Sequence, residues 1–178
     1  MMKKALYFCV IVVICASCAF LGSSSKLVNP PTKKISNVAV LIVQDVNEHL
    51  STNTTERLIF TKAVAEELAF KKTFRFVILE RQYDFTSFDR LLKSDLAKEL
   101  ETLYDAFLIC HPVQKGFNYK VEMVLVQTGT GMEIVRAKHG TGMGNSYWWI
   151  ESPTATLVDA TKGAVHALTR KLQRHNNP

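Results

Sequence analysis

Hydrophobic positions divide the chain into short runs with different periods. Val38-Ala39-Val40-Leu41-Ile42-Val43 is continuous and β-branched, which predicts a strand covered on both faces. Gln44 to Asn53 is polar and reads as a loop, and Thr54-Thr55-Glu56 suits a helix start. In that helix Leu58, Ile59, Ala63, Val64 and Leu68 recur at helical spacing. Phe74 to Leu79 predicts a second strand, and Ser87 to Leu103 a helix striped by Leu91, Leu92, Leu96, Leu100 and Leu103. Ala106 to Val113 predicts a strand ending near Pro112. Tyr119 to Val126 alternates through Val121, Met123 and Leu125, as a strand with one wet face does. Thr128-Gly129-Thr130-Gly131 is turn chemistry, and Ile134 to Ala137 returns to complete a hairpin. Gly140 to Asn145 reads as a flexible connection. Pro153 to Leu172 predicts an amphipathic helix with Leu157, Ala160, Ala164, Val165, Leu168 and Leu172 on one face. The order β-α-β-α-β-β-β-α predicts one α/β (α+β) domain with a mixed sheet over residues 36–174. Leu68, Val77, Ile109, Leu125 and Leu168 are its expected core.

The first residues follow another logic. Met1-Met2-Lys3-Lys4 is a short positive region, and an apolar run follows from Ala5 to Ile14 with small residues at Ala16-Ser17. This is the layout of a bacterial secretory signal, expected to end at residue 17. Ile14-Cys15-Ala16-Ser17-Cys18 resembles a lipobox, which makes Cys18 the expected lipid attachment site. Residues 18–35, with Ser23-Ser24-Ser25 and Pro30-Pro31, then read as a tether. Ala19 is not the Asp that holds lipoproteins at the inner membrane of enteric bacteria, which favours the periplasmic face of the outer membrane. Beyond Cys18 only Cys110 remains, and one thiol makes neither an intramolecular disulfide nor a metal cluster. It reads as a small buried hydrophobe.

Composition narrows the function classes. At 178 residues with 47% hydrophobic positions the chain is a folded protein of about one domain, so wholesale disorder is excluded. The formal charge of +6 falls to +4 without Lys3 and Lys4, too mild a surplus to indicate a nucleic-acid partner. Gly140-Thr141-Gly142-Met143-Gly144 leads into Asn145-Ser146-Tyr147, with no helix opening and no Lys-Ser/Thr, so it is not a phosphate loop. His49, His111, His139, His166 and His175 have no metal-ligand spacing. There is no G-x-S-x-G motif, and the acids of the leucine-striped segment read as its solvated face. The expectation is therefore a protein without catalytic residues, metal, cofactor or small-molecule substrate. Tyr147-Trp148-Trp149 stands apart: in extended chain adjacent Trp side chains point oppositely, so one packs inward and the other suits an interface.

With these elements in place, the chain resembles the curli secretion lipoprotein (CsgG) family. Activators of penicillin-binding proteins and exopolysaccharide-secretion collar lipoproteins are among that family's relatives. Val38-Ala39-Val40-Leu41 is similar to the family's opening strand, and Phe76-Val77-Ile78-Leu79-Glu80-Arg81 to its strand ending in Glu-Arg. Tyr104-Asp105-Ala106-Phe107-Leu108-Ile109, Val124-Leu125-Val126-Gln127-Thr128-Gly129 and Ile134-Val135-Arg136-Ala137 resemble its later strand and Thr-Gly hairpin. Cys110-His111-Pro112 stands where the family has Gly, and no long amphipathic strands are present to build a pore. The resemblance implies a lipid-tethered, non-enzymatic envelope protein that self-associates as an assembly or secretion-accessory component. Its alternative implication is a regulatory module that activates a peptidoglycan synthase.

Overall fold

The computed structural model describes residues 23–43, 54–83, 95–115, 118–141 and 153–176. Six strands form one mixed sheet: β1 (Ser24–Leu27), β2 (Asn37–Val43), β3 (Arg75–Tyr83), β4 (Ala106–Lys115), β5 (Asn118–Gln127) and β6 (Glu133–Gly140). Three helices accompany them: α1 (Thr54–Lys71), α2 (Asp95–Leu103) and α3 (Pro153–Asn176). The spatial order is β1-β6-β5-β4-β2-β3. β2 pairs in parallel with both β3 and β4, and β4, β5, β6 and β1 follow as antiparallel neighbours. The expected single domain and mixed sheet are those observed.

β2 lies inside the sheet, between β4 and the edge strand β3, and its side chains are apolar on both faces. Val38, Val40 and Ile42 join the larger core with Phe60, Val64 and Leu68 of α1 and Leu157, Ala164, Val165 and Leu168 of α3. Ala39, Leu41 and Val43 join a second core with Phe107, Ile109, Val124 and Leu100 of α2. Burying one such side chain fully contributes about 1.5–3 kcal/mol, so coverage on both faces holds β2 strongly, as it does β4 and β5. Thr161 and Thr169 are also buried on α3, and each hydroxyl donates to the carbonyl four residues earlier, Leu157 at 2.7 Å and Val165 at 2.9 Å. Their polar groups thereby enter the core satisfied.

Three expectations need correction. Val77 is half exposed, at 50%: it shares a face with Ala39 on the edge strand β3, whereas Phe76 and Ile78 point to the larger core. Leu58 is exposed, and the buried stripe of α1 runs through Phe60, Ala63, Val64 and Leu68 instead. The segment read as tether contributes strand β1, whose residues Ser24 to Leu27 pair with Lys138 to Val135 of β6. The other expected core residues, Leu68, Ile109, Leu125 and Leu168, are buried.

Candidate functional site

Cys18, Tyr147, Trp148 and Trp149, the residues the sequence singled out, lie outside the described residues, as do Leu91 and Leu92 of the leucine stripe. Among the described residues, no three His, Cys, Asp or Glu converge as a metal site. His111, His139 and His166 fall on β4, β6 and α3; among the described residues His166 Nδ1 meets Lys71 Nζ, and the buried His111 Nε2 and His139 Nδ1 find no partner. Cys110 is free and fully buried among apolar side chains, and burial pushes its thiol pKa far up, so it is inert as a nucleophile.

The sequence motifs Tyr104-Asp105 and Thr128-Gly129 meet at one end of the sheet. Asp105 Oδ2 accepts from the backbone N–H of Ser36 and of Asn37, both at 3.0 Å, and its own N–H donates to the Asn37 carbonyl at 2.9 Å. These N–H bonds, that of Asn37 foremost, hold the Asp105 carboxyl below its ordinary pKa of 3.8 against the opposing effect of burial, with help from Lys33. Thr128 Oγ1 donates toward the Tyr104 and Asp105 carbonyls at 2.7 and 2.9 Å. Gly129 has a φ of +79°, and a Cβ there would come within 2.8 Å of Glu101 Oε1 on α2. The Thr-Gly pair is thus required twice, once for its hydroxyl and once for the turn. These motifs lock the β2, β4 and β5–β6 ends together.

The sheet face opposite α3 carries a charge lattice across β5 and β6. Arg136 Nε and Nη2 donate to the two Glu133 oxygens at 2.8 and 2.6 Å, and Arg136 Nη1 to Glu122 Oε1 at 2.7 Å. Lys138 Nζ reaches the same Glu122 oxygen at 3.0 Å. Desolvation alone would raise the Glu122 pKa, but Lys138 and Arg136 outweigh it and the carboxyl titrates low. The bidentate contact with Glu133 raises the Arg136 pKa. Two acids and two bases neutralise one another here, which makes a rigid polar surface rather than a reactive one.

On the other face the His139 ring packs on α3, where Gly163 leaves room for it: a Cβ at Gly163 would meet the ring at 2.3 Å. Burial lowers the His139 pKa, with Asp159 opposing, and its Nδ1 finds no partner among the described residues. Nearby, burial and the Glu56 carboxylate push the Tyr119 hydroxyl up to about 12. Among the described residues that hydroxyl meets no partner at good hydrogen-bond geometry.

Two concave regions remain. An open depression of about 710 Å³ runs between the end of α1 and the start of β3, past Leu68, Lys72, Phe74 and Phe76. A groove of about 400 Å³ lies between β1 and the last turns of α3, lined by Ser23, Ser24, Ser25, His166, Arg170, Lys171 and Arg174. The strand that forms one wall of this groove was hidden in the sequence by its polar composition, whereas the basic end of α3 was visible.

No family model and no curated protein matches the chain. Among solved structures, the chain is similar to a PelC dodecamer from Paraburkholderia phytofirmans, at 12% identity and a TM-score of 0.53, over 83% of this chain and 98% of that one. A PelC L103M dodecamer from the same organism gives 11% identity and a TM-score of 0.51 over the same shares. The LpoB C-terminal domain from Salmonella enterica is a more distant likeness, at 14% identity and a TM-score of 0.43, covering 64% of this chain and 88% of that domain. These comparisons establish the fold, a PelC-like α+β domain, and do not place the chain in the curli secretion family.

Proposed function

We propose that this chain is a lipid-anchored bacterial envelope protein that acts without catalysis, as a self-associating assembly or secretion-accessory component. The observation that carries this reading is the likeness to PelC along nearly the whole of that chain, since both matched PelC structures are dodecamers. Residues 1–17 as a signal and Cys18 as the lipid-bearing residue support it, because two or three acyl chains hold a protein stably at a bilayer. Ala19 favours the periplasmic face of the outer membrane as the location. The Asp105 and Thr128 motifs are internal structural contacts, and the charges of Glu122, Glu133, Arg136 and Lys138 neutralise one another, which suits a structural role better than turnover. Tyr147-Trp148-Trp149 is the proposed interface segment.

Metabolic labelling with a fatty acid tests the anchor. The wild-type chain should incorporate label and fractionate with membranes, and Cys18→Ala should lose the label and accumulate unprocessed. Equal labelling and processing in the variant would reject the assignment. Crosslinking in intact cells tests the assembly, with a ladder of self-linked species expected and a lone monomer band contradicting it.

A further inference from the structure

The groove between β1 and the end of α3 has an unbalanced charge. Arg170 and Arg174 are exposed and Lys171 half-buried, and among the described residues none of the three is paired with an acid. Among the described residues no carboxylate lines the groove. After Asp159 no acid occurs in α3, so its last four turns are cationic. His166 is engaged, accepting from Lys71 Nζ at 3.3 Å, while Lys71 in turn pairs with Glu67 at 3.2 Å. Three unneutralised cations at a helix C-terminus exceed the roughly half-charge that the helix dipole places there. Their arrangement offers a polyanionic surface several ammonium and guanidinium donors beside three serine residues.

Position along the chain identifies that surface. The groove is walled by Ser23–Ser25, and Ser23 follows Cys18 by five residues, which span at most about 18 Å when fully extended. A lipid on Cys18 therefore keeps this end of the domain within about 18 Å of the bilayer surface. We infer that the Arg170-Lys171-Arg174 groove docks on anionic lipid headgroups and sets the orientation of the domain on its membrane. This inference rests on the reading of Cys18 as the lipid-bearing residue. Each Lys or Arg close to an anionic bilayer strengthens association about fivefold, so three together favour the docked orientation on the order of a hundredfold.

The test uses the full lipidated chain in vesicles of phosphatidylcholine, with or without about a third phosphatidylglycerol. Ser24→Cys, carrying an environment-sensitive fluorophore, reports burial of the groove at headgroup level. Flotation at about 0.5 M salt, where exposed charges are screened, reports the anchor separately. The probe should be buried on anionic vesicles only, be released by salt, and stay exposed in the triple variant Arg170→Gln, Lys171→Gln, Arg174→Gln. Because Arg170 and Arg174 are exposed and glutamine keeps much of the Lys171 stem, that variant should keep the wild-type melting temperature. Equal probe exposure on both vesicle types, or undiminished docking by the triple variant, would overturn the inference while flotation leaves the anchor intact. Docking without flotation at high salt would reject the anchor and support the groove. Docking abolished by millimolar inorganic phosphate at constant ionic strength would identify a site for free anions and overturn the membrane assignment.

Discussion

Replacing Asp105 tests how the sheet is held at its motif-rich end. Its carboxylate accepts two backbone N–H bonds at 3.0 Å from Ser36 and Asn37, where the chain enters β2, and its N–H returns one to the Asn37 carbonyl. These bonds set the register in which Val38 opposes Ala106. A hydrogen bond to a charged group contributes about 1.5–3 kcal/mol. Ser36 and Asn37 are exposed, so water replaces the lost acceptor and the total stays near the lower bound. The Lys33 pair, at 3.3 Å with Lys33 51% exposed, adds little. Asp105→Ala should therefore cost about 2–3 kcal/mol, and Asp105→Asn, which keeps a neutral acceptor, about 1 kcal/mol. Since the folded pKa lies below the ordinary 3.8, the stabilisation is fully present above about pH 4 and disappears as pH falls through the folded value. Urea denaturation at pH 7, 5 and 3 reads both effects. The gap between wild type and either variant should be the same at pH 7 and pH 5 and narrower at pH 3. Variants within about 0.5 kcal/mol of wild type at pH 7, or a gap independent of pH, would refute the role assigned to this carboxylate.

Leu125→Ala removes a fully buried side chain opposite Leu108 and should cost about 2–5 kcal/mol by denaturation, whereas under about 1 kcal/mol would place that face in solvent. Gly163→Ala should destabilise by about 1–3 kcal/mol despite the better helix propensity of Ala, because the new Cβ meets the half-buried His139 ring. His139→Ala in the same chain should recover part of that loss, and no recovery would mean that the ring is not the obstacle. Trp148→Ala and Trp149→Ala should divide their effects, one lowering the melting temperature and the other sparing it while weakening self-association. Equal melting losses with unchanged association would reject the interface role of this segment.

What the sequence disclosed, and what it concealed, follows from how each element is stabilised. β2 was legible because six successive apolar residues admit burial on both faces. α3 was legible because its small and aliphatic positions keep a 3.6-residue period against the sheet. Val77 was misplaced because apolar character alone does not separate an edge-strand position from its buried neighbours Phe76 and Ile78. Leu58 misled in the same way, since α1 carries apolar residues on its outer side as well, Phe70 among them. β4 runs past Pro112 to Lys115 because its pairing with β2 stops at Cys110, and a residue without N–H costs no ladder bond on the edge left open. β1 gave no apolar signal: backbone pairing with β6 holds it, with Leu27 alone reaching the core. The Tyr104-Asp105 and Thr128-Gly129 motifs were visible as patterns, but their meeting depends on strand order, which no local pattern contains.

The central claim, a lipid-anchored protein that works as an assembly, is tested most directly by its mass in mild detergent. The wild-type chain, extracted from membranes and corrected for bound detergent and lipid by multi-angle scattering, should elute as one large closed oligomer. A monodisperse monomer across the accessible concentration range would contradict the account.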